Sequence, residues 1–279
     1  MRLAVFDQYR IGVVREQAVV DVSHAVPGYT GRWPWSDVLT LVAELPRLRP
    51  TLEAAAREGP SRPLASVRLR APVPLPGKLL AAPVNYRPRQ LEMNVETDAA
   101  SQGVYLKAPS AVVGASDAIV LPFADRRVDY EGELAVVIGR VARHVPAERA
   151  LEYVAGYTGG FDITLRGRES AATRKSFDTF APLGPVLLTA DEVPDPGELT
   201  VKVYVNDELR QRATAREMLL EVPELIAWAS RLMTLYPGDV IMTGTPPGVG
   251  PLRPGDRLAL EIPRIGRLEL PVRGPEAAA

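Results

Sequence analysis

The sequence contains no cysteine and only two histidines among its 279 residues. Without thiols the chain has no disulfide framework, no thiolate metal site and no cysteine nucleophile, which fits a reducing compartment and predicts a cytoplasmic location. His24 and His144 fall in a predicted turn and a predicted loop, so neither is expected to be catalytic. Zinc and copper sites are disfavoured, because both metals rely on histidine or cysteine ligands.

Long apolar runs and an excess of one charge are also missing. No stretch approaches the roughly 20 apolar residues that cross a bilayer. The 33 Lys and Arg residues nearly balance the 34 Asp and Glu residues, for a net charge of -1. Such a balance creates no field that attracts nucleic acid or an anionic membrane. We therefore expect neither partner, and the 46% hydrophobic content predicts a substantial buried core.

The first part of the chain is predicted to be a small α+β domain. Its short β-rich stretches predict an antiparallel meander, and Pro46 and Pro50 are expected to end one helix and admit the next. Three prolines between Pro72 and Pro76 then predict a stiff linker. The predicted strands are 2–6, 11–15 and 18–22, the predicted helices are 36–44 and 51–57, and the predicted domains are 1–77 and 78–279.

The second part is predicted to be rich in strands. Asn206 and Asp207 tolerate positive φ and predict a tight hairpin. The polar stretch 86–103 has only weak helical character, so it is a candidate lid over a site. Further predicted strands are 128–141, 156–165, 257–262 and 267–272, and predicted helices are 146–153 and 222–233.

A pair of carboxylates marks the strand 128–141. Glu131 and Glu133 share one face because side chains alternate along a strand, and two such charges repel unless solvent or a cation compensates. A solvated strand face explains the pair equally well. Asp162, however, lies in an apolar stretch where a lone charge is costly, so either a nearby arginine such as Arg166 or Arg168, or a shared cation, must compensate it. Three oxygen ligands suit Mg²⁺ or Mn²⁺.

Two further segments contain candidate substrate contacts. Lys175 lies in a segment that leads into a turn with several prolines and could meet a substrate carboxylate, although an exposed salt bridge explains it as well. Thr245 lies in a Gly- and Pro-rich turn after a strand, where its hydroxyl and nearby backbone amides could face an anion.

Four segments in order, VDYEGELAVVIG, YVAGYTGGFD, KSFDTFAPLGP and LMTLYPGDVIMTGTPPGVG, closely resemble the fumarylacetoacetate hydrolase superfamily, in its bacterial acylpyruvase and fumarylpyruvate hydrolase branch. The resemblance covers the chain from about residue 78 onward. It implies a β-rich α+β protein, with a mixed β-roll or sandwich as catalytic domain and a small N-terminal α+β domain, usually forming a homodimer.

The resemblance also implies the roles of individual residues. It places Mg²⁺ or Mn²⁺ on Glu131, Glu133 and Asp162. The catalytic Lys175 is then expected to contact the substrate, and the substrate-binding residues are expected to be Lys175, Thr245, Gly244 and Arg166.

One departure concerns the lid. The superfamily usually has a histidine and a glutamate there that activate water, whereas this chain has Arg89 where the histidine is expected and retains Glu92. A guanidinium cannot act as a base near neutral pH. Glu92 would then have to activate the water alone, and Arg89 could instead bind a carboxylate.

The predicted function is metal-dependent hydrolysis of a carbon–carbon bond in a 2,4-dioxo acid such as an acylpyruvate or fumarylpyruvate. Two alternatives stay open. The first is decarboxylation or keto-enol tautomerisation of a 2-oxo diacid, which needs no activated water. The second, of another class, is a catalytically inactive binding module.

Overall fold

The computed structural model describes residues 1–275, and β-strands dominate it. The strands are β1 (Arg2–Phe6), β2 (Arg10–Arg15), β3 (Ala18–Asp21), β4 (Ser61–Pro63), β5 (Leu69–Arg70), β6 (Leu79–Ala81), β7 (Tyr105–Lys107), β8 (Val112–Val113), β9 (Ile119–Val120), β10 (Val128–Tyr130), β11 (Gly132–Ile138), β12 (Val154–Phe161), β13 (Thr164–Leu165), β14 (Ala181–Thr189), β15 (Thr200–Val205), β16 (Glu208–Thr214), β17 (Val240–Met242), β18 (Gly250–Pro251), β19 (Arg257–Ile262) and β20 (Gly266–Arg273). The helices are α1 (Ser36–Glu58), α2 (Arg87–Met93), α3 (Ala99–Gln102), α4 (Ala171–Arg174) and α5 (Val222–Leu232).

These strands form three sheets. The largest has 12 strands, with the main order β4-β3-β2-β1-β14-β12-β11-β17-β6-β7, while β5 and β8 pair with β1 and β14. A second sheet has the order β16-β15-β19-β20-β9, and a third has the order β13-β10-β18. Most pairs are antiparallel, but β6 pairs with β17 in parallel. The prediction of a β-rich α+β protein with mixed sheets is confirmed.

The N-terminal meander is present, but the prediction of two helices broken at the prolines is wrong. A single helix, α1, runs through Pro46 and Pro50. Both prolines lie on the exposed face, where water can satisfy the carbonyl groups that lose their intrahelical partner. The opposite face, with Leu41, Leu45 and Leu48, is buried against the sheet without interruption. Packing of this apolar face therefore outweighs the local cost of the two prolines.

The N-terminal strands join the rest of the protein through backbone pairing. Leu3 in β1 pairs with Leu187 in β14, so the meander extends the largest sheet. The division at residue 77 stays a prediction. Residues 276–279, the end of the predicted second domain, lie outside the described part of the chain.

Two of the predicted strands are each divided where they pass between sheets. The predicted strand 128–141 becomes β10 and β11, separated at Glu131, and the predicted strand 156–165 becomes β12 and β13, separated at Asp162. The two breaks face one another, because the amide of Asp162 donates to the carbonyl oxygen of Glu131 at 2.8 Å. Gly132 follows the break, and a Cβ there would lie 2.2 Å from Val203. Glycine therefore permits this close crossing of the sheets.

The remaining elements follow the predictions closely. Asn206 and Asp207 have φ of 52° and 66° and connect β15 to β16, as expected for the hairpin. The predicted helix 222–233 is α5, and the predicted helix 146–153 is a 3-10 helix, Ala147–Tyr153. Within residues 1–275, no helix is both long and apolar enough to cross a membrane.

Candidate metal centre and active site

The three predicted carboxylates converge where the chain passes between the three-stranded sheet and the largest sheet. Glu131, Glu133 and Asp162 are all buried, and one oxygen from each lies within 4.8 Å of the others. Burial excludes the alternative of a solvated strand face for the two glutamates. This convergence follows from the strand order. Glu131 lies between β10 and β11, Asp162 lies opposite it between β12 and β13, and Glu133 is the second residue of β11.

Two buried lysines partly compensate these acids. The ammonium group of Lys175 lies 2.8 Å from Glu131 Oε2 and 2.6 Å from Asp162 Oδ2. Lys107 lies 2.5 Å from Asp162 Oδ1 and donates a second hydrogen bond to a backbone carbonyl. Tyr105 also donates its hydroxyl to Asp162. The alternative of an exposed salt bridge at Lys175 is therefore wrong.

The protonation of the acids reflects this uneven compensation. Burial raises the pKa of Asp162, but the ammonium groups of Lys107 and Lys175 outweigh burial and lower that pKa to about 2. Burial also raises the pKa of Glu133, and the carboxylates of Asp162 and Glu131 raise it further, to well above its usual value. Glu133 therefore has no positive partner among the described residues that is sufficient to keep it ionised.

This deficit is what a divalent cation would remove. Three carboxylate oxygens, without sulfur or imidazole, form the hard donor set that Mg²⁺ and Mn²⁺ prefer. A doubly charged ion would favour the ionised form of Glu133 and stabilise the three charges together. The residues present therefore fit such an ion.

A short backbone segment after β17 orients Glu133. Gly244 has a φ of +97°, and its amide donates to Glu133 Oε2 at 2.7 Å. A Cβ at Gly244 would lie 2.7 Å from Asn85 Cβ, so the position suits glycine. The amide of Gly244 is thus already bound to Glu133. The predicted contact between Gly244 and the substrate stays a prediction.

Thr245 lies beside this segment and borders the cavity next to the carboxylates. Its hydroxyl donates to the carbonyl of Gly132 at 3.0 Å and accepts from Gln211 Nε2 at 2.9 Å. Gln211 also accepts from the amide of Gly132 at 3.0 Å. This network holds the start of β11, and therefore Glu133, in position.

Arg166 connects the carboxylate cluster with a fourth acid. Its Nε lies 2.7 Å from Asp129 Oδ2, and its Nη2 lies 3.0 Å from Glu131 Oε1. Sequence reasoning considered Arg166 as the partner of Asp162, but the lysines take that place. Arg168, considered with it, is exposed. Arg166 borders the cavity, and its role in substrate binding stays a prediction.

A cavity of about 260 Å³ lies beside the carboxylate cluster. The segment predicted as a lid forms one wall, through Arg89, Met93, Gln102 and Gly103. Two glutamates of the carboxylate cluster, two residues of α4 and three further polar residues also border the cavity, namely Glu131, Glu133, Ala171, Arg174, Arg166, Lys175 and Thr245. A cavity of this size suits a small metabolite rather than a drug-sized ligand.

The two candidate catalytic residues of the lid lie in different positions. Arg89 borders the cavity and is buried, with Nη1 2.5 Å from Glu92 Oε2 and Nη2 3.9 Å from Glu131 Oε1. Glu92 is outside the cavity wall, and its other oxygen accepts from the amide of Gly248 at 3.0 Å. The structure thus brings Arg89, rather than Glu92, to the site.

Comparison with known proteins identifies the family. Residues 78–273 match the family described as fumarylacetoacetate (FAA) hydrolase, C-terminal. The chain belongs to the fumarylacetoacetate hydrolase family. The resemblance inferred from the four sequence segments is confirmed.

Relatives extend the match to the whole chain. A maleylpyruvate hydrolase of Aquipseudomonas alcaligenes is 43% identical over 288 residues, covering 98% of this chain and 99% of the relative. The crystal structure of maleylpyruvate hydrolase from Sphingobium sp. SYK-6, in complex with manganese(II) and pyruvate, superposes with a TM-score of 0.91 at 41% identity, covering 99% and 100% of the two chains. A mitochondrial oxaloacetate tautomerase of Homo sapiens is 40% identical over 226 residues, covering 76% of this chain and 72% of the relative.

Sequence reasoning missed three residues of the site. Lys107 and Tyr105 lie in β7, directly after the predicted lid, and both contact Asp162. Their alternation in the segment YLK places both side chains on one face of a strand, which was the available signal. Arg174 was overlooked beside Lys175, although its side chain borders the cavity.

Proposed function

We propose that this protein is a divalent-metal-dependent hydrolase that cleaves a carbon–carbon bond in an acylpyruvate-like 2,4-dioxo acid. The observation that carries the proposal is the buried cluster of Glu131, Glu133 and Asp162, which opens onto a small cavity bordered by Lys175. The full-length similarity to maleylpyruvate hydrolases supports the same reaction class.

The proposed reaction adds water across one bond. The water oxygen adds to the C4 carbonyl, the bond between C3 and C4 breaks with its electrons moving to C3, and C3 takes a proton. The products are pyruvate and a carboxylic acid. A divalent ion on the three carboxylates would supply Lewis-acid stabilisation of the negative charge that develops on the 2-oxo side.

Lys175 is suited to assist in this reaction from the protein side. Its ammonium is held by Glu131, Asp162 and Thr164, so it needs little reorganisation before it can stabilise an oxyanion nearby. Contacts with Asp162 and Glu131 outweigh burial and raise the pKa of Lys175, so this group stays positively charged near neutral pH.

Activation of the water is assigned to Glu92 with Arg89 as its partner. A guanidinium is not a base near neutral pH, so Arg89 can only orient a carboxylate and we assign the proton to Glu92. Because Glu92 now faces Arg89 and Gly248, we propose that the lid segment shifts when substrate binds and brings this carboxylate to the cavity. Lid closure would also exclude bulk water from the reacting groups.

A direct assay tests the proposal. Purified protein is incubated with maleylpyruvate, fumarylpyruvate or acetylpyruvate, with Mg²⁺, Mn²⁺ or EDTA, while loss of enol absorbance and release of pyruvate are followed. We expect turnover that requires the metal and yields one pyruvate per substrate. Glu131→Gln should abolish it, whereas Glu208→Gln, which changes an exposed glutamate of β16, should not. No metal-dependent turnover of any oxo acid would instead favour the inactive binding module.

A second candidate is keto-enol tautomerisation of a 2-oxo diacid such as oxaloacetate. The position of Glu92 outside the cavity favours it, because tautomerisation requires no activated water. Similarity to oxaloacetate tautomerases adds support. Enol oxaloacetate that converts to the keto form faster with protein, without release of pyruvate, would distinguish this activity. Release of carbon dioxide would reveal the related decarboxylation.

We also propose that the protein works in the cytoplasm as a homodimer. The proposal rests on the absence of cysteine from the sequence and on the usual assembly of the family. Light scattering coupled to size-exclusion chromatography would test the assembly through the molar mass in solution. A mass equal to that of one chain would contradict the homodimer.

A further inference from the structure

We infer that Arg174 binds a second carboxylate, at the far end of the substrate, and makes the cavity selective for dicarboxylates over monocarboxylates of the same length. This inference rests on the proposed function and narrows its substrate class. It assigns a specificity role to a residue outside the carboxylate cluster.

Arg174 is placed next to the reacting groups by the local backbone. It is the last residue of α4, and Lys175 follows it as the C-cap. Neighbouring Cα atoms are about 3.8 Å apart. The Lys175 side chain turns into the carboxylate cluster, while the partly buried Arg174 side chain borders the same cavity. A ligand held at the cluster therefore occupies the cavity that the Arg174 side chain also borders.

Arg174 differs from the other two arginines of the cavity in its charge partners. Arg89 pairs with Glu92, and Arg166 pairs with Asp129 and Glu131. Arg174 has no ion pair with a carboxylate among residues 1–275, and Glu169, an acid whose charge lies near Arg174, pairs instead with Arg126. Its guanidinium therefore remains available for a carboxylate from the ligand.

The net charge of the residues that border the cavity also favours a dicarboxylate ligand. Four cationic side chains and two carboxylates border the cavity: Arg89, Arg166, Arg174 and Lys175 against Glu131 and Glu133. A divalent ion on the cluster would make the site still more positive. Such a field favours a ligand with two carboxylates over one with a single carboxylate.

Binding of two unreactive ligands tests the inference separately from turnover. The pair is 2-oxoheptanedioate and 2-oxoheptanoate, which share a 2-oxo acid end and chain length but differ in the distal carboxylate. Dissociation constants are measured by titration calorimetry with Mn²⁺ present. We expect the wild type to prefer the diacid by about 10- to 100-fold, the range for a charge-assisted hydrogen bond.

The variant Arg174→Gln should lose most of this preference, and Arg174→Lys should retain part of it, because an ammonium keeps the charge but lacks the fork of the guanidinium. Arg168→Gln is the matched control, since Arg168 is exposed and does not border the cavity. Equal binding of both ligands by the wild type, or an undiminished preference in Arg174→Gln, would overturn the inference. Metal-dependent hydrolysis of maleylpyruvate, fumarylpyruvate or acetylpyruvate by the wild type decides the proposed function independently of either result.

Discussion

Replacing Glu133 by glutamine should have opposite effects on stability with and without metal. Glu133 is buried beside two other carboxylates, and its oxygen accepts from the Gly244 amide. Glutamine has nearly the same shape and can still accept that hydrogen bond. The substitution therefore removes a charge while leaving the packing and the backbone contact in place.

The magnitude follows from the separation of the charges. Two unit charges 4.8 Å apart repel by about 3.5 kcal/mol at an effective dielectric constant of about 20. Protonation of Glu133, the ammonium of Lys175 and the Gly244 amide reduce this cost. We therefore expect metal-free Glu133→Gln to be more stable than the metal-free wild type by about 1–3 kcal/mol near pH 8.

The sign of the pH dependence follows from the raised pKa. The folded protein holds the proton on Glu133 at pH values where the unfolded chain, with an ordinary pKa of 4.5, has lost it. The free energy of unfolding of the metal-free wild type should therefore fall as pH rises above 4.5 and level off above the pKa of the folded state. Glu133→Gln should lack this contribution, so the two proteins should differ less near pH 5 than near pH 8.

Metal should reverse the order of stability. An ion present at about 100 times its dissociation constant stabilises the protein that binds it by about 2.7 kcal/mol, and Glu133→Gln lacks one of the three ligands. Urea denaturation of both proteins in EDTA and in Mn²⁺, near pH 5 and near pH 8, measures all eight free energies of unfolding. The reasoning is refuted if the variant is the less stable protein in EDTA near pH 8, or if Mn²⁺ stabilises both proteins equally.

Three further substitutions test separate parts of the structure. Arg89→His should raise kcat for acylpyruvate hydrolysis by up to about 100-fold, because it restores a group that can carry a proton; a lower rate would show that Arg89 itself binds substrate. Lys107→Met should lower the free energy of unfolding in urea by about 3–5 kcal/mol, because it leaves Asp162 with one cation fewer in a fully buried pair. The control Lys202→Met breaks a more exposed pair and should cost at most about 1 kcal/mol, so equal losses would contradict this account. Pro46→Ala should raise the thermal midpoint, with a gain of about 1–3 kcal/mol, and an unchanged midpoint would mean that the proline costs α1 nothing.

Much of the site could be predicted from local patterns in the sequence. Alternation along a strand placed Glu131 and Glu133 together, and the cost of a charge in an apolar stretch singled out Asp162. The same kind of pattern predicted the hairpin at Asn206 and Asp207. These features depend on side-chain periodicity and backbone preference over a few residues, which are properties of the sequence itself.

Long-range contacts could not be predicted in this way. The partners of Asp162 are 13 residues away at Lys175 and 55 residues away at Lys107, and only the pairing of the strands brings them together. The continuity of α1 through Pro46 likewise depends on the sheet against which it packs. Each outcome depends on a contact between distant parts of the chain, whose energy outweighs the local preference.

The sequence by itself therefore determined the family, the three carboxylates and the β-rich character of the protein. Only the tertiary structure decided that lysines, rather than Arg166, compensate Asp162, and that Arg89 rather than Glu92 borders the cavity. It also decided that Arg174 has no acidic partner within the described residues 1–275. The physical reason is that periodicity shows which face a side chain occupies. Which charges meet on that face depends on how the sheets cross.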